Sequence, residues 1–175
     1  MHGKIALVFL VLILVGVNWS IAGKEKHLMV GKIVYLKLAP VDPRSLIQGD
    51  YMALRFEVAN EIYKILPKSA ERKSWRQDVN AADGYAVIQV DEKRIGQFKR
   101  VHNKEPLSKN EVLMRYRVRG GRVKFATNAF FFQEGTAKDY ETAQYGQFRV
   151  DDSGELLLAA MYDKDLKRMG SEENK

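Results

Sequence analysis

The stretch IALVFLVLILVGVNWSIA, Ile5 to Ala22, carries no charge, and it limits what the rest of the chain can become. As a helix it would reach roughly 27 Å at about 1.5 Å per residue, close to the hydrocarbon thickness of a bilayer. It has no polar stripe, so it does not read as the amphipathic helix of a soluble core. A lipid bilayer is its expected partner. Lys4 ahead of it and Ser20-Ile21-Ala22 at its end also fit the layout of a secretion signal. Trp19, suited to a membrane interface, and the spanning length favour a retained single-pass anchor over a cleaved signal. Lys4 and the amino terminus face Lys24 and Lys26 across the segment, so charge fixes orientation weakly. The signal-like layout places the following domain outside the cytoplasm, on the periplasmic or extracellular side of a bacterial cytoplasmic membrane.

Of the 175 residues, what remains after this segment is enough for one ordinary domain. The expected division is an anchor or signal segment over 1–22, one β-rich domain over 23–168, and a disordered tail over 169–175. The chain has 29 Lys and Arg against 22 Asp and Glu, and Lys4 is the one charge lost with the anchor. The domain therefore keeps an excess of six positive charges, which suits a surface beside anionic headgroups. Nucleic acid is the competing partner of a basic domain, but one tethered outside the cytoplasm rarely meets it. There is no cysteine, which excludes disulfides, thiolate catalysis and cysteine-ligated metals. With His2, His27 and His102 as the only histidines, a histidine metal site or triad has little material, and no metal or cofactor is expected.

Periodicity points to strands. In KIVYLKL, Lys32 to Leu38, Val34, Leu36 and Leu38 share one side. Pro40 and Pro43 then frame an ordered loop to Gly49, and Tyr51 to Val58 returns to alternation. Asn60 to Leu66 reads as a short helix capped by Asn60, followed by a polar excursion after Pro67. Gly84 to Val101 and Glu111 to Ala126 read as hairpins, the second turning at Gly120-Gly121. Arg115, Arg117 and Arg119 fall on its outer face with Lys124 on the return strand, an arrangement that reads as a solvated sheet face more readily than as a phosphate-binding ribbon. Thr136 to Tyr145 is expected as a second helix with Thr136 as N-cap and Asp139 as its box partner. QFRV and ELLLAAMY make a closing hairpin around DDSG. The expected fold is α+β, mainly antiparallel β, with about eight strands and two short helices behind one transmembrane helix.

The stretch PVDPRSLIQGDYMALRF, Pro40 to Phe56, concentrates the residues that might carry chemistry. Parity puts Leu54 and Phe56 in the core, Gly49 can adopt a turn closed to other residues, and Asp50 can accept backbone amides. GDYMALRF resembles the signature of the bacterial GDYXXLXY family, with Phe56 where the pattern ends in Tyr. The proline-aspartate-proline approach is similar too, as are FFFQEG with Glu134 and Gly135, and DYE with Glu141. The resemblance implies a membrane-associated domain and brings no reaction with it. Phe56 in place of Tyr favours packing there over any use of a phenol oxygen. A partial likeness to membrane-anchored serine peptidases of the signal peptidase type fails at its nucleophile position, which holds Val41. Ser45 is the one substitute, and Lys93 or Lys99 the matches for a base.

The candidate motif or binding residues are therefore Asp42, Arg44, Gly49, Asp50, Tyr51, Glu134, Gly135 and Glu141, with Leu54 and Phe56 as motif core and no catalytic residue assigned. The leading expectation is a non-enzymatic tethered domain that binds an integral membrane protein or an envelope component. The alternative is a hydrolase or ligand-binding module around Asp42, Arg44, Asp50 and Glu134. Turn capping and ion pairing with Arg44 or Arg55 explain the same carboxylates more economically.

Overall fold

The computed structural model describes residues 2–39, 47–48, 51–67, 82–127 and 129–170. Helix α1, His2–Val30, is continuous through the apolar stretch and eight residues past Ala22, and its side chains from Leu7 to Lys26 are exposed. Leu7–Val30 is long and apolar enough to cross a membrane, by length and composition. Among the described residues no element packs around that apolar surface, and a helix of this kind could insert in a lipid bilayer.

The chain turns at Gly31 into β1 (Lys32–Lys37), and then runs through β2 (Ile47–Gln48), β3 (Tyr51–Ala53), α2 (Glu57–Ile65), β4 (Ala82–Val90) and β5 (Gly96–Val101). It continues with β6 (Glu111–Arg119), β7 (Arg122–Phe125), β8 (Ala129–Phe131), a 3-10 turn at Ala137–Tyr140, β9 (Tyr145–Val150) and β10 (Leu156–Tyr162). The fold is α+β and mainly antiparallel behind an N-terminal apolar helix, as the sequence led one to expect. The described residues hold ten strands against the eight expected, and the surplus lies in pieces of two and three residues.

The strands form three sheets, β1-β9-β10, β2-β3-β8 and β5-β4-β6-β7. Both glycines of the β6-β7 turn behave as their sequence requires. Gly120 and Gly121 sit at φ 57° and 65° between paired Arg119 and Arg122, the two-residue turn whose twist matches that of the strands. The first and third sheets meet where Tyr35 bridges Ile95 in parallel and its amide donates to the Arg94 carbonyl at 2.8 Å. Gly96 permits this approach. A Cβ there would stand 2.7 Å from Ile88 Cγ2 and 2.8 Å from Val34 Cγ1. The shared core includes Val34, Leu36, Ile88, Met114, Val118, Phe125, Phe148 and Met161.

Two expected elements are corrected. Alternation from Tyr51 ends at Ala53, and α2 starts at Glu57, with Phe56 as its extended N-cap and no side-chain cap bond, so Asn60 lies inside the helix. Met52, Leu54, Phe56 and Val58 are nonetheless all buried. Val58 and Ile62, four residues apart, bury together on one helical face, and that gain outweighs the capping preference of Asn60. The second expected helix, Thr136 to Tyr145, is one 3-10 turn. Thr136 caps nothing: its hydroxyl donates to the Gln133 carbonyl at 2.7 Å. Ala137, Tyr140 and Ala143 recur every third residue, the spacing of a 3-10 turn, and Tyr140 is the one buried residue of that turn.

Candidate functional site

The motif strand β3 pairs on one edge with β2 and on the other with β8, in the register Tyr51↔Phe131, Met52↔Phe130, Ala53↔Ala129. Strand parity then sorts the aromatics. Met52 faces the core, and Phe130 on the partner strand packs against it too. On the opposite face the Tyr51 and Phe131 rings lie 5.8 Å apart, tilted by 44°. Phe131 is 73% exposed, the highest value for any large apolar residue described after the helix.

The FFF run and the DYE element meet at Tyr140. Its ring stacks on Phe132 at 5.1 Å and lies 5.2 Å from Phe130. Gly170, at φ 67°, closes over the phenol so tightly that no Cβ could be placed there, and Met169 bonds back to the Met161 carbonyl. Burial raises the Tyr140 phenol above its ordinary value, Asp139 adds to this, and Arg168 opposes it. Ahead of this turn Gly135 sits at φ 82°, the third position of a turn closed by the Thr136 amide on the Gln133 carbonyl at 3.1 Å. The glycine is there for its backbone conformation, since a Cβ would meet no atom.

The motif and the aromatic element, about eighty positions apart in the chain, are thus adjacent strands of one small sheet. The model of the GDYXXLXY protein family matches residues 13–161. The chain belongs to that family. No curated protein and no solved structure matches it.

Where the GDYXXLXY pattern ends in Tyr, this chain buries Phe56 to 3% exposure. Its ring meets Phe148 edge-on at 5.2 Å and covers Gly146, where a Cβ would come within 3.0 Å. Leu54 is buried as well, so both motif positions expected in the core are there. Of the polar candidates, Tyr51 stands beside Phe131, while Glu134 and Glu141 are exposed on the turns flanking the Tyr140 element. Asp42, Arg44, Gly49 and Asp50, together with Val41 and Ser45, lie outside the described residues. Lys99, one match for a peptidase base, pairs with buried Glu111 at 2.7 Å, and Lys93 is exposed in the β4-β5 turn. The Lys99 ammonium and the Ser108 amide hold the Glu111 carboxyl below its usual range, against the effect of its burial. Among the described residues, no three histidine, aspartate or glutamate side chains converge on a metal position.

The outer arginines of β6 are used within the fold. Arg115 pairs with Glu155 and Asp83, Arg119 pairs with Asp83 at 2.7 Å, and Arg117 donates to the Ala126 carbonyl.

A contact that sequence reasoning missed joins the apolar helix to the domain. His27, whose side chain is 8% exposed, lies 2.9 Å by Nε2 from the Arg149 carbonyl of β9, which makes Nε2 the donor. Its Nδ1 is 3.6 Å from Asp151 Oδ2, and Arg149 Nη1 donates to the Gly31 carbonyl at 3.2 Å. Burial would raise the Asp151 carboxyl, but hydrogen bonds from Ser153 and the Glu155 amide, with His27 alongside, hold it below its ordinary value. The only sequence signal was a histidine one helical turn before the end of a helix, and its partners lie more than a hundred residues away.

Proposed function

We propose that this chain is a membrane-tethered domain on the extracytoplasmic side that binds an integral membrane protein or an envelope component. The observation that carries this reading is the Tyr51-Phe131 face of the motif sheet, an exposed aromatic surface on a domain whose first strand follows directly from a helix fit to span a bilayer. Exposed aromatic side chains on a rigid sheet give contact area with little entropy to lose, which is why they are enriched at interfaces. The motif's buried residues, Leu54 and Phe56, hold that sheet on the core, so family membership and surface presentation have a common physical basis.

A photo-crosslinking amino acid placed at position 131 in native membranes tests the reading, with position 164, an exposed turn site, as control. The expected result is an adduct with a membrane or envelope protein from 131 and none from 164. Equal yields at the two positions sink it. Phe131→Ser should change stability by no more than about 0.5 kcal/mol, as for other exposed sites, so loss of partner association in that variant would not reflect unfolding.

A further inference from the structure

The turn at Gly31, directly after α1, lines a cleft of about 420 Å³, a volume within the range typical of small-ligand sites, roughly 300–1,000 Å³. Its lining brings together four cations, Lys32, Arg94, Lys109 and Arg149, with Asp91 as the one carboxylate among the described lining residues. They come from β1, the β4-β5 turn, the approach to β6, and β9, so no sequence motif announces them.

The charges in this cleft are unequally committed. Asp91 Oδ1 accepts the Ile95 amide at 2.8 Å, Arg149 donates to the Gly31 carbonyl, and Lys32 pairs with Asp152 at 3.6 Å on the exposed rim. Arg94 and Lys109 have no ion-pair partner among the described residues. Arg94 also holds a left-handed backbone at φ 64°, a conformation usually left to glycine or asparagine. Its amide donates to the Asp91 carbonyl at 2.9 Å and its carbonyl accepts the Tyr35 amide at 2.8 Å, so the backbone bearing this guanidinium is fixed on both sides. A concave, cationic lining with two members unpaired among the described residues has the chemistry to attract an anion.

The position of the cleft selects among anions. The candidate span Leu7–Val30 ends one residue before the cleft wall at Gly31. Its 24 residues would reach roughly 36 Å at about 1.5 Å per residue, enough to cross a hydrocarbon core of about 30 Å and enter one headgroup layer. Lys24 and Lys26 can extend towards headgroups, and the last turn, clasped to Arg149 and Asp151 through His27, suits the same depth. The cleft therefore opens beside the headgroup layer. We propose that it binds the phosphodiester headgroup of an anionic phospholipid, with Arg94 and Lys109 as the principal contacts. The proposal rests on the reading of α1 as a retained anchor.

The test uses the full chain purified in dodecyl maltoside, supplemented with phosphatidylglycerol or phosphatidylcholine, with retained lipid counted by native mass spectrometry. The wild type should retain phosphatidylglycerol in preference. Arg94→Gly and Lys109→Gln should each lower that preference by roughly fivefold, the effect of one cation near an anionic surface. Glycine accepts the backbone conformation of position 94 without strain, so the first variant removes the cation and keeps the turn. Equal retention of the two lipids by the wild type, or an unchanged preference in the double variant, overturns the proposal. So does binding of inorganic phosphate without any preference for phosphatidylglycerol, which would make the ligand a soluble anion. Carbonate washing of membranes separates the two readings: a protein released by carbonate defeats the anchor and the proposal together, whereas one that stays but shows no lipid preference defeats the proposal alone.

Discussion

Replacing Phe56 by alanine should remove more stability than any other single change in the family motif's described residues. The ring is 3% exposed and meets Phe148 at 5.2 Å, and as an N-cap residue it makes no side-chain bond, so packing is what the substitution removes. A fully buried Phe→Ala change costs about 3–5 kcal/mol, which for a chain of this size lowers the thermal midpoint by roughly 6–20 °C. Gly146→Ala probes the same contact from the other side. Its Cβ would stand 3.0 Å from Phe56 Cε1 and 3.1 Å from Leu158 Cδ1, while φ is unrestricted there. Overpacking of about 1–3 kcal/mol, offset by about 0.5–1 kcal/mol from the stiffer unfolded chain, leaves a net loss of roughly 0–2.5 kcal/mol. In the double variant the new methyl enters the space vacated by the ring, so the combined loss should fall short of the sum by about 1 kcal/mol or more. Near-UV circular dichroism of the full chain in detergent micelles follows the unfolding of the domain's packed aromatics, over a background from Phe9 and Trp19 of the helix. A cycle additive within about 0.5 kcal/mol would refute the contact between motif and β9.

The remaining predictions concern the helix clasp and the seam between sheets. Asp151 and Glu111 have folded-state carboxyls held below their ordinary values, so the stability they contribute is complete above about pH 5 and is lost as pH falls through the folded values. Asp151→Asn should therefore lower the midpoint at neutral pH and flatten its decline between about pH 5 and 3, and an unchanged acid limb would count against this assignment. Gly96→Ala should cost a net of roughly 0–2.5 kcal/mol by the same reckoning, towards the upper end because the added methyl meets the stiff side chains of Ile88 and Val34 where two sheets touch, and thermal unfolding reads it directly.

Local chemistry made much of this legible. Gly120-Gly121 announced the β6-β7 turn, the parity of Leu54 and Phe56 announced the core side of the motif, and an uncharged run announced the apolar helix. Residues 56–58 satisfy both the period of a strand and the start of a helix, so the boundary at Glu57 depended on where Ile62 could be buried. The stretch after Gly135 has polar letters suited to capping, but its apolar residues recur every third position and support one tight turn. The partners of His27 and the four cations of the cleft are gathered by pairing between distant strands, and no local pattern records such an assembly. Asp42, Arg44, Gly49 and Asp50 remain readings of the sequence.

The clasp at His27 makes the membrane helix and the first sheet a single lever. Inserted in a bilayer, a helix gripped at its last turn would transmit both rotation and height to whatever it carries. One residue inserted between Ala22 and His27 would turn the domain by about 100° about the bilayer normal and lift it by about 1.5 Å. Four would bring nearly the original face back towards a neighbour, about 6 Å farther out. The phase of this helix, and not only its hydrophobicity, is thus part of the information the chain encodes, because it sets the bearing of the Phe131 surface about the helix axis.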